Sequence, residues 1–82
     1  MIKRELVMLV ADGFEDALIG TGRQFNKDLA VYDYYKCVKI LMKREGWNEE
    51  EAIEWMEYNV VGAYVGEETP VFVMVGEMPD VD

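Results

Sequence analysis

The middle of this 82-residue chain carries the signals that most restrict its fold: two helical segments, each marked at its start, with a glycine between them. Asp33 is a good N-cap, since a short side-chain acceptor can take a bond from an orphan N–H of the first turn. After it, Tyr34, Cys37, Val38, Leu41 and Met42 recur at helical spacing, and Lys36, Lys39 and Lys43 line the opposite face. Lys43 and Arg44 sit in the last turn, where cations complement the helix dipole, and Gly46 supplies the stop. Asn48 and Glu51 form a capping-box pair, and Glu49, Glu50 and Glu51 load the N-terminal end of the second helix. Ala52, Ile53, Met56 and Val60 make its apolar stripe, and Gly62 breaks it. Residues 45–47 form a short connection, so the two helices should close into an antiparallel hairpin. One would be basic outside and the other acidic, which favours the pairing.

The flanks read as strands and turns. Residues 5–11 are a continuous apolar run of the kind found in central strands covered on both faces. Asp12-Gly13 stops the run. Asp12 with Glu15 resembles a second capping box and predicts a short helix through Ala17-Leu18-Ile19, ended by Gly20-Thr21-Gly22. Residues 23–28 read as a polar loop around Phe25, and residues 29–32 as a short strand or the start of a longer helix. Ala63-Tyr64-Val65 and residues 71–75 read as strands, with a turn at residues 66–70 between them. The expected fold class is α+β: a small sheet of three to four strands, with a short N-terminal helix and the antiparallel helix hairpin on one face. Residues 6–10 and 71–75 are the most apolar strands and are expected to lie adjacent at the sheet centre. The expected organisation is one domain over residues 1–76 and an acidic tail over 77–82.

Composition narrows the chemistry. A chain this short buries only roughly 60–65% of its unfolded surface, enough for one domain. It is 51% apolar and 12% aromatic, too rich for a disordered acidic segment. It has no His and only Cys37, which excludes zinc-finger, Cys–His nucleophilic and disulfide frameworks within one chain. A lone Cys suits a reducing cytoplasm. No apolar run approaches the roughly 18–20 residues of a membrane span. The run after the basic N-terminus is too short for a secretion signal, so cytoplasm is the expected location and no membrane is expected as a partner.

Charge is unevenly placed. The net charge is −9, but residues 1–44 hold all eight basic residues with six acidic ones, a net of +2. Residues 45–82 hold eleven acidic residues and no Lys or Arg, a net of −11. A field of that sign repels nucleic acid and attracts basic surfaces.

Several groups invite a functional reading beside a plainer one. Asp12, Glu15 and Asp16 are hard oxygen donors that suit Mg²⁺, but capping of a helix start accounts for them more simply. Gly20-Thr21-Gly22-Arg23 resembles a small anion loop, yet it lacks the Gly-Lys-Ser/Thr ending of a P-loop and reads more simply as a plain helix stop. Tyr32, Tyr34 and Tyr35 cannot all point inward in a domain this small. Asn59 falls near the apolar side of the second helix, where a buried amide must be hydrogen-bonded. Trp47, in the hairpin turn, is either a partner anchor or a cap over the helices. Glu49, Glu50, Glu51, Glu54 and Glu57 make an acidic face, extended by Glu67, Glu68 and the tail, that could mimic phosphates in a basic groove or serve solubility. No Ser–His, Cys–His or Lys–Ser constellation is present, and although two carboxylates could do acid–base work, nothing places a particular pair together. No catalytic residue is expected, nor a cofactor or metal.

The chain also resembles a known group. Tyr32-Asp33, Lys36-Cys37, Ile40-Leu41-Met42, Gly46, Glu50-Glu51-Ala52, Glu57-Tyr58-Asn59-Val60, Gly62-Ala63-Tyr64-Val65-Gly66-Glu67 and Thr69-Pro70-Val71-Phe72 are similar to a pattern in small uncharacterised proteins of tailed bacteriophages. Asp12-Gly13-Phe14, Ala17-Leu18-Ile19-Gly20 and Phe25-Asn26 extend the likeness, so it covers most of the chain. Trp47, where relatives often carry Met, and Asp28, where they often carry Pro, depart from it. The resemblance implies a phage origin and action in the bacterial cytoplasm. It implies no activity.

Two functions follow as expectations. The first is a small acidic non-catalytic accessory protein that binds a basic host or phage protein, such as a nucleic-acid-binding or host-defence protein, without touching nucleic acid itself. Glu50, Glu54, Glu57, Glu67, Glu68 and Trp47 are its candidate contacts. The second is a nucleotide or metabolite module, with Asp12, Asp16, Gly20, Gly22, Arg23, Asn26, Asn59 and Tyr64 lining a pocket, set within one chain or at a homodimer interface.

Overall fold

A computed structural model describes residues 2–5 and 8–76. Strands β1 (Ile2–Glu5) and β2 (Met8–Ala11) form an antiparallel pair, with Ile2 opposite Ala11 and Glu5 opposite Met8. A 3-10 turn at Glu15–Ala17 leads into β3 (Leu18–Gln24), and β4 (Lys27–Asp33) returns beside it. Helices α1 (Tyr34–Glu45) and α2 (Glu49–Met56) follow, and α2 widens into a π-type turn at Glu57–Val61. Strand β5 (Val71–Val73) then pairs with β4 in parallel, giving a three-stranded mixed sheet ordered β3-β4-β5. The fold is α+β, with two helices in a hairpin between the paired strands.

The hairpin forms where its signals stand. Asp33 Oδ1 accepts from Lys36 N–H at 3.2 Å. Gly46 closes α1 in the left-handed conformation (φ 74°), which glycine adopts without a Cβ clash. The capping box is complete: Asn48 Oδ1 accepts from Glu51 N–H at 2.8 Å, and Glu51 Oε1 accepts from Asn48 N–H at 2.9 Å. Such a cap contributes about 1 kcal/mol. Tyr34, Cys37, Val38 and Leu41 of α1 meet Ala52, Met56 and Val60 of the second helix in one buried cluster with Phe14, Ala17, Ala30 and Tyr32. The residues that alternate with Ala30 and Tyr32 on β4, Leu29 and Val31, face the other side of the sheet.

Several expectations need correction. Residues 5–11 are not one central strand; Glu5 belongs to β1 and residues 8–11 to β2, in a sheet of their own. Leu6 and Val7 lie outside the described residues, as does the expected tail 77–82. The strand that follows Pro70 lies at the sheet edge, because β4 takes the centre. Burial on both faces decides this, since Leu29, Ala30 and Tyr32 are all buried. The Asp12–Glu15 capping box does not form: Glu15 Oε2 accepts from Gly13 N–H at 3.0 Å, and the turn has no side-chain cap. Leu18, Ile19, Gly20 and Gly22 belong to β3 rather than to a helix and its stop. Gly22 is there for closeness, since a Cβ would stand 3.2 Å from Val31 Cγ2 on the facing strand. Residues 63–65 are not a strand; the Thr69 hydroxyl accepts from Val65 N–H at 2.9 Å and donates to Gly66 O at 2.6 Å, closing a local turn instead.

Candidate functional site

The outward face of α2 holds the most distinctive surface chemistry. Trp47, Glu51, Trp55 and Asn59 are spaced four apart, so after the connection they rise along one stripe. Glu54 and Tyr58 flank it, and the six residues line a shallow groove of about 450 Å³. The Trp47 and Trp55 rings lie 6.0 Å apart at 48° to one another and are half-buried, packed against the hairpin core. Tyr58 is 86% exposed. The groove therefore combines aromatic faces, which carry negative quadrupole potential, with two carboxylates and no basic side chain.

The groove's polar groups divide by commitment. Glu51 is held by the capping box. Asn59 Nδ2 donates to the Trp55 carbonyl at 3.3 Å and is exposed, not buried on the apolar side as its position suggested. Glu54 is exposed and has no hydrogen-bond or ion-pair partner among the described residues.

The other predicted contacts scatter. Glu50 is exposed on α2. Glu57 accepts from the Tyr34 hydroxyl at 2.7 Å, which ties the end of the second helix to the start of the first. Burial and that bond raise the Tyr34 phenol well above its ordinary range. Glu67 lines a separate groove of about 440 Å³ with Phe25, Lys27 and Tyr64, and Glu68 lies next to it in the same turn.

The pocket proposed for a small ligand is not assembled in one place. Asp16 lies with Lys36, Lys39 and Lys43 beside α1. Gly22 and Arg23 lie on the outer sheet face with Val31 and Val73, where Arg23 is paired to Asp28 at 3.0 Å. Tyr64 is beside Phe25, and Asn59 is on α2. Asp12 is in the turn after β2, Gly20 is within β3, and Asn26 is in the β3–β4 turn. Among the described residues no three carboxylate or thiol groups converge on a metal position, so Asp12, Glu15 and Asp16 do not form one. None of the described residues is a buried charged side chain, and no buried side-chain polar atom among them lacks a partner.

Two aromatic positions escaped the sequence reading. Trp55 and Tyr58 belong to the groove; the available signal was that Trp55 stands two four-residue steps after Trp47, with Tyr58 three residues further on. Phe25 is 93% exposed and has φ 58°, the only non-glycine positive φ among the described residues.

Fold and surface together define a small α+β protein with an aromatic and acidic helix face. No protein-family model, curated protein or solved structure matches the chain. Among the described residues no helix is long and apolar enough to cross a membrane.

Proposed function

We propose that this is a small non-catalytic binding protein, encoded by a phage, that docks the outer face of α2 onto a basic protein surface and inhibits or modulates its owner. The observation that carries this reading is the groove of Trp47, Trp55 and Tyr58 beside Glu51 and Glu54. Aromatic residues are enriched where interfaces gain most of their energy. Surrounding carboxylates steer a basic partner and suppress acidic ones, nucleic acid included. Glu54 lines this groove and Glu50 is exposed on the same helix, whereas Glu57 is engaged with Tyr34 and serves the fold. A nucleic-acid-binding or host-defence protein offers a suitable basic surface.

The test is capture from phage-infected bacterial lysate at low and high salt, using the wild-type chain and the Glu50→Gln/Glu54→Gln variant in parallel. Support requires a basic protein that the wild type retains at low salt, and that is lost both at high salt and with the variant. A partner held equally by the variant and insensitive to salt sinks the proposal.

A further inference from the structure

The α2 groove has a shape that selects among cations. Its floor is aromatic, its one uncommitted charged group is Glu54, and no Lys or Arg lines it. A cation placed over an indole face is attracted by the ring quadrupole, and a neighbouring carboxylate adds to that attraction. The rings do not form a cage. Enclosing a side chain between two ring planes takes about 7–8 Å, two contacts of about 3.5–4 Å each, whereas Trp47 and Trp55 stand 6.0 Å apart and tilted by 48°. The site is an open, angled wall. A round ammonium gains only one-sided contact there. A planar guanidinium can lie flat on an indole and still direct its edge N–H groups at a carboxylate beside the ring, a geometry lysine cannot copy.

We infer that the groove receives an arginine side chain of the basic partner, stacked on the Trp47–Trp55 wall with its N–H groups donating to Glu54. This rests on the binding role proposed above and adds the residue type that the site reads. Glu51 contributes field more than contact, since the carboxylate is already engaged at Asn48. Asn59 donates one N–H to the Trp55 carbonyl; its Oδ1 is a neutral acceptor and a weaker partner for a cation than a carboxylate. Glu54 is thus the charged acceptor that decides orientation.

The probes are nona-arginine and nona-lysine peptides, equal in charge, titrated into the full chain at low salt. The indole N–H resonances of Trp47 and Trp55 are the only two of their kind and report directly on the groove. The expected result is displacement of both resonances by nona-arginine, and affinity about three- to fivefold above nona-lysine. Glu54→Gln and Trp47→Leu should each erase that preference while leaving the circular dichroism spectrum unchanged. Glu54 is exposed, so its variant remains informative if Trp47→Leu does not fold. Equal affinities with unmoved indole resonances would overturn the arginine assignment and leave the acidic-face reading standing. Failure of both peptides to bind would overturn both.

Discussion

The hydroxyl oxygen of Tyr32, on the central strand, accepts the backbone N–H of Ala11 at 2.9 Å. Both residues are buried, and the bond fastens the separate β1–β2 pair to the main sheet. The Tyr32 ring also stacks on Phe72 of β5, with centroids 5.4 Å apart. Tyr32→Phe keeps the ring and removes the acceptor, so a buried N–H loses its partner. The expected cost is about 1–3 kcal/mol in urea unfolding. A loss near zero would mean that the β1–β2 pair contributes nothing to the cooperative unit.

Phe25 stands in left-handed backbone with its ring 93% exposed, a combination that no burial among the described residues repays. Left-handed backbone costs a residue with a Cβ about 1–2 kcal/mol, less for Asn. Phe25→Asn should therefore raise stability by about 1 kcal/mol, read as a higher melting temperature. An unchanged or lowered value would show that the ring is held by contacts not evident in the fold.

Asn48→Ala removes the capping-box acceptor at the start of α2, with an expected loss of about 1 kcal/mol. Glu51→Ala opens the same box from the other side. If the two belong to one reciprocal cap, the double variant should lose less than the sum of the singles, which a double-mutant cycle measures.

Burial, with the nearby negative charge of Asp33, pushes the Cys37 thiol up to about 12 from an ordinary value of 9.0. The native state therefore favours the neutral thiol, and the same holds for the Tyr34 phenol, raised by burial and its bond to Glu57. A group raised in this way stabilises the fold fully below its unfolded value and loses that contribution as pH climbs to the folded value. Stability should hold up to about pH 9 and fall progressively from there through about 12. Cys37→Ala should flatten the decline in that window, as followed by urea midpoints at a series of pH values. Native Cys37 should also resist alkylation at neutral pH, because thiolate is the reactive form.

The legible parts of the fold were those with local causes. Asp33, Gly46, Asn48 and Glu51 act within one helical turn of their own backbone, and each stands where its chemistry required. The strands were harder because their causes are distant. Gly22 looks like a helix stop until Val31 is seen across from it. Residues 29–32 look unremarkable until the helix hairpin covers one side of them. The acidic face of α2 was visible as composition, but Trp55, eight positions after Trp47, and Tyr58, three after Trp55, joined it only when those spacings were placed on an actual helix.

The pairing of β4 with β5 has a kinetic consequence. Val31 meets Val71 forty positions later in the chain, and the whole helix hairpin lies between them. Closing so long a loop is entropically unfavourable in an unfolded chain. A hairpin capped at both helix starts can assemble first from neighbouring contacts and bring the two strands within reach. The third strand would then dock after the rate-limiting step. Truncating Phe72 should accelerate unfolding while leaving the refolding rate nearly unaltered, whereas truncating Leu41 should slow refolding.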